Sequence, residues 1–288
     1  MIAIHFEEHA TCSRLLHKLR TYINRYAAYG LGATVTKCAD RNIIEVEYGR
    51  DEFYFFESFQ PLLVSILIEE VIETKEDEWL MDIAETVFCF TDAEEKRQIA
   101  AIAHAILHGE RTDIPIIHAH SRRRNYLYEA FSTYIDPHTS FYYEAFLTFR
   151  LKKYGDVLVD IVGKAIDEYL LEQEYQAMIE GCRQYLKQTT PKRKLIYVVH
   201  DRQTNLYNEH WERLTNGAVP ADLEKIFTFE KDVDEDKRLI SPLVSRVPAH
   251  VHIFSDEPDH AIVLTIQAIF QERLTITPLT TCVEKVKK

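Results

Sequence analysis

The first fifty residues alternate between two apolar periodicities. Residues 2–6 place apolar side chains at every second position, which is typical of a strand with one buried face. Residues 15–26 repeat apolar side chains at helical spacing. Two more alternating segments, 33–38 and 42–48, are separated by a polar turn. The pattern predicts a small βαββ unit over residues 1–50.

Helical spacing replaces strand alternation between about residues 53 and 188, and this middle segment is predicted to be all-helical. One helix is predicted to begin at a Thr91 cap and to end at Gly109. Another is predicted from near residue 141. The clearest apolar stripe runs from Asp156 to Lys187 and needs covering by other elements. Six of its members are therefore expected to be mostly buried: Leu158, Ile161, Ala165, Leu170, Met178 and Cys182.

The periodicity changes again after a polar linker at residues 188–192. The predicted elements are strands at 195–200, 205–209, 251–254 and 274–277, and helices at 234–247 and 259–270. This alternation indicates a small α/β domain with at least partly parallel strands. The chain is thus predicted to be α+β and mostly helical, with three domains at residues 1–50, 51–188 and 192–288.

Charge, apolar length and cysteine usage argue against several classes of protein. The net charge is −12, and residues 51–190 carry 13 basic against 26 acidic side chains. Such an acidic segment repels phosphate groups and is a poor docking face for nucleic acid or anionic lipid. The most apolar stretch, 53–68, contains Glu57 and Pro61 and is shorter than the roughly 20 apolar residues of a membrane span. Five scattered cysteines without a CxxC pair, and no secretory leader, predict a cytoplasmic protein with reduced thiols and no membrane insertion.

The sharpest candidate site follows two predicted strands of the C-terminal domain. Asp201 comes directly after one strand, and Asp256 and His260 come soon after another. Ligands of open parallel sheets bind where the strands end at their carboxyl edge. If the strands are neighbours, these side chains are suited to a hard cation or a phosphate-bearing ligand, as in a metal-dependent hydrolase. The favoured alternative is two ordinary polar turns, with Asp259 capping a helix.

Three histidine pairs have spacings that metal ligands use: His104 and His108, His118 and His120, and His250 and His252. The first pair shares a helix face, but Ala105 stands where the metalloprotease pattern has glutamate, so partly buried helix histidines are favoured. The second pair lies in a predicted loop, and the third begins a strand where packing is favoured. We find no phosphate loop, dinucleotide fingerprint or nucleophile elbow, so a non-enzymatic protein without a cofactor is predicted.

Basic side chains near aromatic residues raise nucleic-acid binding as an alternative. The residues that would contact the nucleic acid are Arg14, Lys18, Arg25, Arg122, Arg123 and Arg124. The tyrosines beside the first three fall on the apolar helix stripe, so an ordinary solvated face is favoured over a binding groove.

The central and C-terminal sequence resembles the YtxC-like family of sporulation-associated proteins. The resemblance is carried by the following segments: Phe146–Tyr154, Val162–Tyr175, Leu195–His200, Leu239–Val244 and Pro248–Ile253. It covers residues 140–280 most closely. The resemblance implies a role in spore-forming Gram-positive bacteria and brings no catalytic residues with it. The leading interpretation is therefore a cytoplasmic, non-enzymatic binding protein with protein partners.

Overall fold

The structure is a computed structural model. It describes residues 1–38, 42–49, 54–111, 119–215, 219–227 and 239–281, with the backbone alone at 38 and 119–122. The chain divides into two compact units, Met1–Tyr169 and Leu170–Lys288. The structure is α+β and mostly helical, as the sequence predicts.

The first unit contains a four-stranded sheet in the order β2-β3-β1-β4. Its first three strands are β1 (Ile2–His5), β2 (Ala33–Cys38) and β3 (Ile43–Tyr48), and helix α1 (His9–Ala27) connects β1 to β2. Strand β3 pairs antiparallel with both β1 and β2. The predicted βαββ arrangement is therefore confirmed.

The fourth strand, β4 (Ser140–Tyr142), lies in the segment that was predicted to be all-helical. It pairs in parallel with β1, with Ile4 opposite Phe141. Only Phe141 of the three residues is buried, so the alternation is too short to produce a periodic signal. The helix predicted from near residue 141 begins instead at Tyr143.

The described residues of the first unit also form a short π-helix (Phe55–Phe59) and the following α-helices: α2 (Gln60–Thr74), α3 (Glu76–Thr86), α4 (Ala93–His108), α5 (Ala119–Ser132) and α6 (Tyr143–Arg150). Helix α4 is capped by Asp92 and not by the predicted Thr91. The Asp92 carboxylate accepts hydrogen bonds from the backbone amides of Glu94 and Glu95, and these bonds lower its pKa. The helix ends at Gly109 in the left-handed conformation (φ 73°), as predicted.

The long predicted helix is present as α7, which runs without a break from Lys152 to Gln188. Most of its apolar stripe is buried, including Leu158 (1% exposed) and Ile161 (2%). Leu170, however, is 46% exposed, so its predicted burial is wrong. It lies just beyond Tyr169, where the helix leaves the core of the first unit, and no residue from 170 to 178 is fully buried.

The second unit contains a four-stranded sheet in the order β6-β5-β7-β8. The strands are β5 (Arg193–His200), β6 (Thr204–Tyr207), β7 (Pro248–Ser255) and β8 (Leu274–Thr277). β5, β7 and β8 are parallel, and β6 pairs antiparallel with β5. The predicted parallel arrangement of the strands at 195–200 and 251–254 is confirmed.

The described helices of this unit are α8 (Ala221–Glu224), α9 (Ile240–Ser245) and α10 (Ala261–Phe270). The helix predicted at 234–247 is represented by α9, since residues 228–238 lie outside the described part of the chain. Alternate residues of β5 and β7, such as Ile196 and Val251, share an apolar core with the helices.

The two units differ from the three predicted domains. Residues 1–50 share one continuous core with the helices that follow, because Ile4 and Leu15 belong to the same buried cluster as Phe59 and Leu67. The pairing of β4 with β1 joins these segments further.

In the described ranges, the structure has no helix with the length and apolarity that a membrane crossing needs. Cys12 and Cys89 are free thiols, and Cys182 is buried.

Candidate metal centre

Two histidines and a glutamate meet at the carboxyl ends of β5 and β7. His200, Glu257 and His260 each offer one ligand atom, and these atoms all lie within 4.8 Å of one another. His200 Nε2 is 4.0 Å from Glu257 Oε2, and the two imidazole ring centroids are 4.4 Å apart. Within the described part of the chain this is the one group of three such residues close enough to share a metal ion.

Strand alternation explains the position of His200. In β5 the buried positions are Ile196, Val198 and His200, so the histidine ends the row of side chains that faces the helices. The parallel register places His200 opposite Ser255, the last residue of β7. Glu257 follows Ser255 by two residues and therefore lies at the same edge of the sheet.

The β5–β6 hairpin orients the His200 ring. His200 pairs with Thr204 across the hairpin, and its Nδ1 lies 2.9 Å from the Thr204 hydroxyl oxygen. When Nδ1–H donates to this hydroxyl, the ring's lone pair is on Nε2, the atom closest to Glu257. Metal-binding histidines are commonly held this way through their second nitrogen.

Glu257 has a fixed backbone and an adjustable side chain. Its backbone N–H donates to the hydroxyl of Ser255 at 3.0 Å, which sets the turn after β7. Its side chain is 73% exposed, whereas that of His200 is 6% exposed. The carboxylate can therefore rotate towards a ligand while the imidazole of His200 stays in place.

His260 is the N-cap of α10, and its Nδ1 accepts a hydrogen bond from the backbone N–H of Ile262 at 3.4 Å. A neutral imidazole has one lone pair, so this bond leaves Nε2 protonated. Metal binding through either nitrogen would require the cap bond to break. A bond of this length is weak, so its loss costs little.

Two imidazoles and a carboxylate form a ligand set that suits zinc and related divalent transition metals. Ligand atoms on one zinc ion are at most about 4.4 Å apart, twice a bond of about 2.2 Å. The three ligand atoms, which lie within 4.8 Å of one another, would therefore move slightly closer on binding, and the exposed Glu257 side chain has room to rotate. Three protein ligands would leave a fourth position for water.

The structure brings His260 together with His200 and Glu257, and not with the other predicted candidates. Asp201 is exposed and is not part of the group. Asp256 Oδ1 accepts a hydrogen bond of 2.9 Å from the backbone N–H of Leu279, so it anchors the segment that follows β8. The cap of α10 is His260 and not the predicted Asp259.

The other histidine pairs have local partners. His104 Nε2 bonds the Asp77 carboxylate, and His108 Nδ1 bonds the backbone carbonyl of His104 at 2.9 Å. His250 and His252 each contact a threonine hydroxyl of β8 at 2.9 Å. His118 and the side chain of His120 lie outside the described residues.

Three of the six basic residues of the nucleic-acid alternative pair with buried carboxylates. Arg14 and Lys18 both pair with the buried carboxylate of Glu70, at 2.6 and 2.8 Å. Arg123 is buried against Glu76 and has no solvated face, contrary to expectation. Of the other three candidates, Arg25 and Arg124 are exposed, and the side chain of Arg122 lies outside the described residues.

His200 was not predicted as a site residue, although the sequence contains a signal for it. It does not follow a strand but is the third member of the period-two row of buried residues that begins at Ile196. A histidine continuing a buried apolar row at a strand's carboxyl end is itself a candidate ligand. Glu257 carries no comparable signal, because it is one of several carboxylates in a polar turn.

Together, fold and site define a two-unit α+β protein with a histidine–carboxylate group at the edge of its second sheet. The chain belongs to the YtxC-like family, whose model matches residues 61–275. It is 34% identical over 220 residues to "Uncharacterized protein YtxC" of Bacillus subtilis (strain 168), covering 76% of this chain and 78% of that protein. No solved structure matches the chain.

Proposed function

We propose that this chain is a cytoplasmic, non-enzymatic binding protein whose second unit binds a divalent transition metal ion. The observation that supports the proposal is the convergence of His200, Glu257 and His260 ligand atoms within 4.8 Å. A buried imidazole oriented by Thr204 supplies the rigid part of the site, and Glu257 supplies the adjustable part. Zinc is the ion that two histidines and one carboxylate fit best.

The test is a calorimetric titration of the metal-free full-length protein with Zn²⁺. We expect one ion to bind per chain and His200→Ala to weaken binding at least about a hundredfold, because even residues that only orient a ligand typically contribute 10–100-fold. Substitution of Co²⁺ should give visible absorption bands that His200→Ala abolishes. Asp201→Asn is the matched control, since it removes a neighbouring exposed carboxylate outside the group.

Thr204→Val tests whether the hairpin positions His200. Valine keeps the shape of threonine and removes the hydroxyl, so zinc affinity should fall by about 10–100-fold while one ion still binds. Equal zinc affinity for the unmodified protein and His200→Ala would refute the metal site, whereas unchanged affinity in Thr204→Val alone would refute only the orienting role.

A metal-dependent hydrolase is the second candidate, favoured by the coordination position that three protein ligands leave open. Zinc-loaded protein would then hydrolyse a chromogenic ester such as 4-nitrophenyl phosphate, and His200→Ala would remove the activity. Zinc binding without turnover would instead agree with a binding protein.

We also propose a role in sporulation, which is supported by membership of the YtxC-like family. Deletion of the gene should lower the yield of heat-resistant spores, and an intact copy should restore it. A deletion strain that forms spores as efficiently as its parent would contradict this role without affecting the proposed metal site.

A further inference from the structure

A cleft of about 440 Å³ opens in the first unit between α3, α6 and the start of α7. Its size lies within the usual range for small-molecule sites. Its walls are largely apolar and are formed by the following side chains: Ile83, Leu147, Leu151 and Leu158. All of its lining residues belong to the first unit, so the cleft is separate from the metal group.

Two aromatic side chains line the cleft and are held in place. The rings of Trp79 and Tyr154 meet edge to face, with centroids 6.2 Å apart. The Tyr154 hydroxyl donates to the carboxylate of Glu76, which is itself buried and paired with Arg123. This network fixes the tyrosine ring and so keeps the aromatic wall rigid.

The cleft is also lined by two carboxylates, and one of them is poorly solvated. Glu144 lines it, and Glu144 Oε2 is shielded from water and has no hydrogen-bond partner within the described ranges. Asp82 is a second carboxylate in the lining. Of the two lining lysines, Lys75 pairs with Glu78 at 3.1 Å and Lys152 is exposed.

The carboxylate of Glu144 also affects the pKa of the adjacent buried tyrosine, Tyr143. Burial raises the pKa of Tyr143, and the carboxylates of Glu70 and Glu144 raise it further. The Tyr143 hydroxyl is also buried without a partner in the described part of the protein, so it does not satisfy Glu144.

We propose that this cleft binds an organic ammonium ion that has an apolar body. The apolar walls would cover the body, and the half-buried ring of Trp79, held in place by the buried Tyr154, attracts a cation through its quadrupole. The carboxylates of Glu144 and Asp82 would balance the ammonium charge, which also offsets the cost of the poorly solvated Glu144. Positively charged aliphatic or aromatic amines are therefore the expected ligand class.

The experiment uses the full-length protein with Trp211→Phe, which leaves Trp79 as the single tryptophan. 2-Phenylethylammonium should change Trp79 fluorescence in a saturable way. The neutral analogue 2-phenylethanol has nearly the same shape and should bind at least about tenfold more weakly, since a hydrogen bond to a charged group contributes enough for that factor. Calorimetry on the unmodified chain measures the same binding if the Trp211→Phe protein does not fold.

Glu144→Gln keeps the size of the side chain and removes its charge, so it should lower ammonium affinity at least about tenfold and leave 2-phenylethanol binding unchanged. The control is Glu172→Gln, which removes an exposed carboxylate outside the cleft. Equal affinity for the amine and the alcohol, absence of saturable binding, or no effect of Glu144→Gln would each overturn the proposal.

Discussion

Replacing Arg123 with methionine should lower the free energy of unfolding of the first unit by about 3–5 kcal/mol. Arg123 and Glu76 form an ion pair of 3.0 Å, and their side chains are 3% and 1% exposed. Methionine fills a similar volume but leaves the Glu76 carboxylate buried without its cation. That uncompensated charge, rather than lost packing, is the main source of the destabilisation.

The measurement is urea denaturation followed by Trp79 fluorescence in the Trp211→Phe background. Trp79 contacts Tyr154 in the same cluster and therefore reports on the first unit, which avoids treating a two-unit chain as a single transition. The matched control is Lys153→Met, which breaks an exposed ion pair with Glu129 and should cost only about 0–1 kcal/mol.

A second substitution separates charge from packing. Adding Glu76→Gln to Arg123→Met removes the buried charge and keeps an acceptor for the Tyr154 hydroxyl. The double variant should therefore be more stable than Arg123→Met alone. If the two losses instead add, the destabilisation comes from packing and our account of the ion pair is incorrect.

Much of the fold follows from local sequence patterns, because long elements give strong periodic signals. Helix α7 was predictable over nearly its full length, and strand β8 was predicted at its observed bounds, Leu274–Thr277. Strand β4 was not predictable in this way. It consists of three residues, and its pairing with β1 depends on contacts more than a hundred residues apart in sequence.

The apolar periodicity of a helix also fails to predict burial beyond the point where the helix stops packing against a core. Leu170 continues the apolar pattern of α7, yet it follows Tyr169, the last residue of that helix in the first core. The pattern shows which face of a helix is apolar, but not where along the helix its packing partners end. The position of those partners depends on the tertiary structure.

Only part of the candidate metal centre could be predicted from the sequence. The carboxyl edge of the β5–β7 pair and His260 were predictable from strand order and from the rule for parallel sheets. The choice of His200 over Asp201 depends on which side of the sheet each residue faces, and Asp256 is occupied by a contact with the segment after β8. A shift of one residue along a strand changes the face and therefore the site.

The long helix provides the second large expected effect. Ile161→Ala should destabilise the first unit by about 2–5 kcal/mol, because Ile161 is 2% exposed and lies within the central apolar cluster. Truncation removes buried carbon atoms and leaves a cavity that the neighbouring helices fill only partly. Alanine has a higher helix propensity than isoleucine, so the substitution slightly stabilises the helix itself. The measured loss of stability is therefore a lower bound on the free energy lost from packing.

Phe149→Ala is the control for this substitution, because it removes a larger side chain that is 78% exposed in α6. Its effect should stay within about 0.5 kcal/mol, despite the greater number of atoms deleted. Both variants are compared by urea denaturation with Trp79 as the reporter. A midpoint that is unchanged in Ile161→Ala, or lowered equally in Phe149→Ala, would show that burial along the α7 stripe does not determine the stability of this unit.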